Sequence, residues 1–326
     1  MTLAAHVDTF GQALLRRYGE RVHKVAIDAG FTCPNRDGTK GRGGCSFCNN
    51  SSFSPNGREH SSVADQIAAG RSVIRRRTGA RRYIAYFQAY TNTYGDLAHL
   101  DRLYRSALAE PDVVGLSVGT RPDCVDPGVL DLLANYRDDG YEVWLELGLQ
   151  SASDETLRRV NRGHGFAEYR TSALATRARG ISLCTHLIVG LPGETPRRSL
   201  ETLARVLELG VDGLKVHPLH VVRGTRLAAE WRRGAYRPLG LDEYIEAVCD
   251  IIEATPPGVV FHRLTGTAPP KILLAPDWCA WKWRVLNAIE RELARRADRV
   301  AVLAPTLDLA RTPRPMPVQA GRVAAL

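Results

Sequence analysis

Short apolar runs rich in Val, Ile, Leu and Tyr recur along the first two thirds of the chain at residues 22–29, 82–89, 113–118, 142–149, 182–189 and 213–216, and read as strands. Between them, apolar residues fall three and four apart over 63–78, 98–109, 128–138, 153–160, 167–179 and about 196–209, the spacing of amphipathic helices. Residues 6–18 predict a lead-in helix, and Ser61-Ser62 offers an N-cap for the helix at 63. Strand and helix thus alternate about six times, the pattern of parallel βα units. Six units rather than eight predict an α/β fold built as a partial (β/α)6 barrel, open on one side, with functional residues at the C-terminal ends of the strands. Beyond His217 the rhythm changes. Helices are expected over 225–233, 241–254 and 281–296 and a strand over 259–262, which together make a C-terminal α/β extension. Residues 305–326 hold prolines and arginines without periodicity. The chain divides into a lead-in (1–20), the barrel (21–220), the extension (221–300) and a loosely ordered tail (301–326).

Composition narrows the function class. At 326 residues, 44% hydrophobic and 24% charged, the chain can bury a large core. No run of eighteen apolar residues occurs, so no membrane helix is expected, and residues 1–12 lack a basic-then-apolar leader. A cytoplasmic location follows as an expectation. There, seven cysteines fit reduced thiols and a metal centre better than disulfides. The formal charge of +9 points modestly to an acidic partner such as nucleic acid.

Three of the cysteines, Cys33, Cys45 and Cys48, lie in one loop after the first strand with spacing C-x11-C-x2-C. Gly38, Gly41, Gly43 and Gly44 let that loop fold back closely. Three thiolates leave one iron of a cubane [4Fe–4S] cluster open to a substrate or cofactor. Structural zinc is the rival reading. It needs a fourth ligand, for which His23 or His60 would have to serve. Three metal-free thiols are the third.

The phrases Phe31-Thr32-Cys33-Pro34-Asn35-Arg36-Asp37-Gly38 and Gly43-Gly44-Cys45-Ser46-Phe47-Cys48-Asn49 resemble the radical S-adenosylmethionine (SAM) superfamily, in particular a subfamily near the Elongator catalytic subunit. The usual superfamily spacing, C-x3-C-x2-C, is shorter than the one here. The resemblance runs from about residue 17 to about residue 287 and implies a TIM-like (β/α)6 core. It also implies a [4Fe–4S] cluster on the three cysteines, SAM on the open iron, and a reductant protein of flavodoxin or ferredoxin type. Phe47 matches the aromatic residue that precedes the third cysteine. Gln88 and Tyr90 stand where many members carry a glycine-glycine-glutamate turn for the SAM amino group. Glu146, Gly148 and Gln150 share strand parity and suit a hydroxylated ligand such as ribose; Gln150 is the best matched to the family's SAM-contacting turn. Arg162 matches the arginine that pairs with the SAM carboxylate, a task suited to parallel guanidinium donors. Ile188 and Gly190, in an apolar strand that runs into a glycine turn, match the adenine-binding segment. His186 and Gly119 replace acidic residues that some relatives have.

Of the other cysteines, Cys184 and Cys249 fall in apolar periodic segments and are expected to be buried; Cys124 follows a strand end. No side chain is assigned as catalytic. The resemblance implies a tRNA base as substrate, a wobble uridine in particular. The alternatives are a small molecule in the same barrel, or a non-catalytic zinc or iron–sulfur protein that binds nucleic acid. Trp278, Trp281, Lys282, Trp283 and Arg284 combine aromatics and cations in a way that can stack unpaired bases. At helical spacing, packing of the tryptophans against the barrel is the favoured expectation.

Overall fold

The structure, a computed structural model, describes residues 3–49 and 61–303, with side chains described to residue 298. Helix α1 (Phe10–Tyr18) starts at a capping box in which Thr9 and Gln12 satisfy each other's backbone N–H groups. There follow β1 (Val22–Ile27), a one-turn α2 (Pro34–Asp37), α3 (Val63–Thr78), β2 (Arg82–Phe87), α4 (Leu97–Leu108), β3 (Val113–Thr120), α5 (Pro127–Asp138) and β4 (Glu142–Gln150). The body continues with α6 (Asp154–Arg159), α7 (Phe166–Ala178), β5 (Ser182–Val189), α8 (Pro196–Leu207) and β6 (Gly213–Pro218). Beyond it come β7 (Val221–Val222), α9 (Arg226–Arg232), α10 (Leu241–Ala254), β8 (Val260–Arg263), β9 (Leu273–Ala275) and α11 (Lys282–Leu303). Residues 304–326, most of the expected tail, lie outside the described residues. Among those described, no helix is long and apolar enough to cross a membrane.

The six expected strands form one parallel sheet in chain order, curled into a half-barrel, and β8 extends it beside β6 as a seventh strand. The strand expected within the extension therefore belongs to the barrel's own sheet, as its last strand. Its crossover from β6 runs through α10, whose buried face (Tyr244, Val248, Ile251) joins the main core. Strands β7 and β9 pair antiparallel; at two and three residues they are too short to show a period in sequence.

The strands' two-residue period layers the barrel interior. At the N-terminal end, Ile84, Trp144, Cys184 and Val260 pack with Phe10 and Leu14, so α1 plugs the bottom of the barrel. One level up the interior is charged: Lys24, Tyr86, Ser117, Glu146, His186 and Lys215 meet there. The top level, at the strands' C-terminal ends, is open and carries the candidate site.

Candidate active site

Cys33 caps the one-turn α2, whose first position is Pro34. The loop then doubles back, with the Gly44 N–H on the Asn35 carbonyl at 2.8 Å and the Cys48 N–H on the Cys45 carbonyl at 3.0 Å. At Gly41 a Cβ would fall 2.4 Å from Asn35 Oδ1, and at Gly44 (φ 77°) one would fall 2.9 Å from the Arg36 side chain, so neither position accepts a larger residue in this fold. The loop is fastened to the one after α6. Asn35, buried, donates Nδ2 to the Asn161 carbonyl at 2.6 Å, and Asn161 Nδ2 returns a bond to the Gly44 carbonyl at 2.8 Å. Arg121 donates Nη1 to the Arg162 carbonyl at 2.9 Å while paired with Asp123. Sequence reading missed Asn35, Asn161 and Arg121 because their partners lie up to 126 positions away.

Cys33, Cys45 and Cys48 line one cavity of about 230 Å³ at the top of the barrel. Phe47, Gln88, Tyr90, Gln150, Arg162 and Ile188 line the same cavity. Arg162, 8% exposed, donates Nη1 to Cys45 Sγ at 3.5 Å and Nη2 to the Gly148 carbonyl, while its buried Nε has no partner among the described residues. Gly148 makes room for it, since a Cβ there would meet Arg162 Nη2 at 2.8 Å. Burial, then the neighbouring Cys45, pushes the Cys48 thiol up to about 11, against the pull of Arg36 and Arg162. A thiol so placed is a poor free nucleophile and a good candidate for a metal-held thiolate.

Two expected cofactor contacts are placed elsewhere. Glu146 is fully buried below the cavity: Oε1 takes Lys24 and the Ser117 hydroxyl, and Oε2 takes His186 Nε2 at 2.6 Å and Lys215 Nζ at 2.8 Å. Strand parity aims it inward as read, but these donors saturate it, so it has no free oxygen for a ribose. Gly190 (φ 90°) shapes the turn after β5, and its carbonyl accepts from the Tyr236 hydroxyl at 2.8 Å. It packs against Leu239 rather than facing the cavity. Cys124 is half-buried and also off the cavity wall. Cys184 and Cys249 are fully buried.

The zinc reading loses His23, which lies at the start of β1 whereas the cysteine loop follows its end; His60 lies outside the described residues. Among the described residues, the one group of three His, Cys, Asp or Glu donors whose ligand atoms all lie within 4.8 Å of one another is Glu146, Cys184 and His186. The three loop sulfurs are therefore not all within 4.8 Å of one another, whereas thiolates on one zinc would stand about 3.8 Å apart. A multi-iron cluster is the larger group such a spread fits. The Glu146 group holds two lysine ammoniums in place of an ion.

In the charged layer, burial opposes ionisation of Glu146, but Lys215 and Lys24 outweigh it and hold the carboxyl well below the usual range. Burial also lowers Lys215 to about 8 and, aided by Lys215, His186 to about 4. His186, Lys215, His217, His220 and Arg263 line the same cavity as the cysteines. None of the last four was singled out from sequence for this role; the His-Pro-Leu-His step at 217–220, just after a strand, was the available signal. A second cavity, of about 930 Å³, opens along the lateral seam between β1 and β8. It shares Gln88, Arg263, Gly266 and Thr267 with the first and extends to Lys282 at the start of α11.

Known proteins resemble the chain over most of its length. A family model described as the radical SAM superfamily matches residues 33–215, and one described as a radical SAM C-terminal domain matches residues 211–295. The chain is 50% identical over 293 residues to Protein YhcC of Escherichia coli strain K12, covering 90% of this chain and 94% of that one. It is 29% identical over 170 residues to the tRNA uridine(34) acetyltransferase of Dehalococcoides mccartyi, 51% of this chain and 36% of the relative. Among solved structures, archaeal Methanocaldococcus infernus Elp3, N-terminally truncated, matches with a TM-score of 0.65 at 17% identity, covering 85% of this chain and 63% of that one; the fold is shared.

Proposed function

The chain belongs to the radical SAM superfamily, and we propose that it is a cytoplasmic member that modifies an RNA base, specifically a wobble uridine of tRNA. As a radical SAM enzyme its cofactors are a [4Fe–4S] cluster and SAM. The single observation that carries the site assignment is the convergence of three wide-set thiols with Arg162, Gln150 and Gln88 on one cavity at the strands' C-terminal ends. Once bound, the cofactors supply one-electron cleavage of the sulfonium and hydrogen abstraction from substrate, fed by an external reductant that we take to be of flavodoxin or ferredoxin type.

In this reading Cys33, Cys45 and Cys48 hold the cluster as thiolates, with Arg36 and Arg162 offsetting their charge. Arg162, anchored on the Gly148 carbonyl, presents its guanidinium on the cavity wall to the carboxylate of SAM. Gln150, Gln88 and Tyr90 supply neutral polar contacts. Ile188 and Phe47 give apolar surface that lies along the adenine and keeps water out. Glu146, fixed by four donors, orients His186 and Lys215 beneath the cavity rather than touching the cofactor.

The RNA reading rests on likeness to proteins of tRNA uridine chemistry and on the surface. Trp278 packs as expected, its indole N–H on the Leu239 carbonyl at 3.1 Å. Trp281 and Trp283 instead stand 57% and 71% exposed, with Lys282 Nζ 5.3 Å from the Trp283 ring. Exposed indoles beside cations suit unpaired bases and phosphates. Binding of bulk tRNA by the cluster-loaded protein at low and moderate salt tests this. Absence of salt-dependent binding, together with deoxyadenosine formation that RNA from a deletion strain fails to stimulate, would sink the RNA reading in favour of a small-molecule substrate.

A further inference from the structure

We propose that Arg263, with His217 and Lys215 around it, forms a subsite for an anionic group of the substrate, a phosphate or a carboxylate, in the cavity that the cysteines also line. The inference rests on the reading of the cysteine side as the cofactor side.

The backbone aims Arg263 at this place. Parallel pairing of β6 with β8 runs Gly213 to Val260 and Leu214 to Phe261, then skips a residue so that Lys215 pairs with Arg263. A register shift of this kind re-aims side chains and is common beside active sites. His262 turns down into the charged layer, with Nδ1 3.0 Å from Lys24 Nζ, while Arg263 turns up, at the level of Lys215, to the junction of the two cavities.

The charge there is unbalanced. Glu146 is the carboxylate of this region, and it is already shared by Lys24, Lys215 and His186. Arg263 is partly buried, and its side chain makes no hydrogen bond or ion pair among the described residues. A guanidinium drawn out of bulk water without a counter-charge is costly, and its planar fork matches an oxyanion. The imidazoles beside it are neutral. Burial, then Arg263 and Lys215, holds His217 well below the ordinary histidine range; burial lowers His220 as well, with Arg263 adding to it. His220 is anchored on the Gly266 carbonyl at 3.1 Å, whereas His217 is left without a hydrogen-bond partner among the described residues. Gly266 lets both imidazoles pack in beside the arginine: a Cβ there would fall 2.8 Å from His217 Nδ1 and 3.1 Å from the His220 ring, and would displace them. An anion seated here would hold the substrate in the cavity that the cofactor shares.

The test uses cluster-loaded protein with SAM present and three probes in equilibrium dialysis: uridine, uridine 5′-monophosphate and uridine-5-carboxylate. The expected result is at least a tenfold preference for one charged probe over uridine, and which probe it is identifies the source of the anion. Arg263→Gln should erase the preference, Arg263→Lys should keep part of it, and Gly266→Ala should weaken it with the charge intact. SAM affinity should stay unchanged in all three. No preference in the wild type, or a preference that survives Arg263→Gln, overturns the subsite. A matching loss of SAM affinity in Arg263→Gln also overturns it, by giving the arginine to the cofactor. If the charged probe is preferred but bulk tRNA does not bind, the RNA reading falls and the subsite stands.

Discussion

Arg162 and Cys45, 117 positions apart in the chain, meet with Nη1 3.5 Å from Sγ. The same guanidinium reaches the Gly148 carbonyl at the end of β4. One side chain thus ties the cysteine loop to the strand that carries Gln150, and any ligand on the thiols lies beside a fixed cation.

Arg162→Ala should weaken SAM binding by about 1.5–3 kcal/mol, the worth of a charged hydrogen bond, or roughly 10–150-fold. Titration with SAM at matched iron content separates this from cluster loss. Unchanged affinity would mean that another cation does the work.

Replacing Cys33, Cys45 or Cys48 singly by Ala should abolish stable cluster assembly. Iron and sulfide per chain after anaerobic reconstitution are the measurement. A variant that keeps a full complement removes that cysteine from the ligand set.

Asn35→Ala should loosen the fastening of the cysteine loop while keeping all three cysteines, although it also removes the amide that lies 3.8 Å from Cys45 Sγ. It strips the Asn161 carbonyl of a 2.6 Å bond inside a packed interface. The expected cost is about 1–3 kcal/mol of stability, and iron should pass to a chelator faster than from the wild type. Wild-type kinetics of iron loss would show that the loop holds without this residue.

Glu146→Gln leaves Lys24 and Lys215 buried without their anion and should destabilise the fold by about 3–5 kcal/mol. The pH dependence follows from the same layer. His186 falls from an ordinary 6.5 to about 4, so the unfolded chain binds the proton more readily than the folded one. Its contribution is complete above pH 6.5 and is lost as the pH falls toward about 4. The depressed carboxyl of Glu146 acts in the same sense at lower pH. Urea midpoints should therefore decline on acidification across this window, and a flat profile would contradict the assignment.

Trp281→Ala with Trp283→Ala should leave folding intact, because both rings are exposed. If they stack on RNA, each should contribute about 1–3 kcal/mol to tRNA affinity. A double variant with wild-type affinity would move the RNA contact elsewhere on the surface.

The sequence alone determined the alternation that makes the barrel, because the strand and helix periods are written into neighbouring residues. It also determined the cysteine loop, since C-x11-C-x2-C and its glycines are local, and the inward direction of Glu146, since parity follows from the strand period. What that carboxylate meets was left to the tertiary structure: Lys24 and Lys215 come from β1 and β6, and their charges take the oxygens that a ribose would need. Tertiary structure likewise decided that β8 joins the sheet and that a skipped residue turns Arg263 toward the cavity. It also decided that Trp281 and Trp283 stay in solvent while Trp278 is buried. Periodicity fixes which face of its own element a residue occupies. Partner, register and exposure depend on elements tens to more than a hundred positions away, and only the folded chain brings those together.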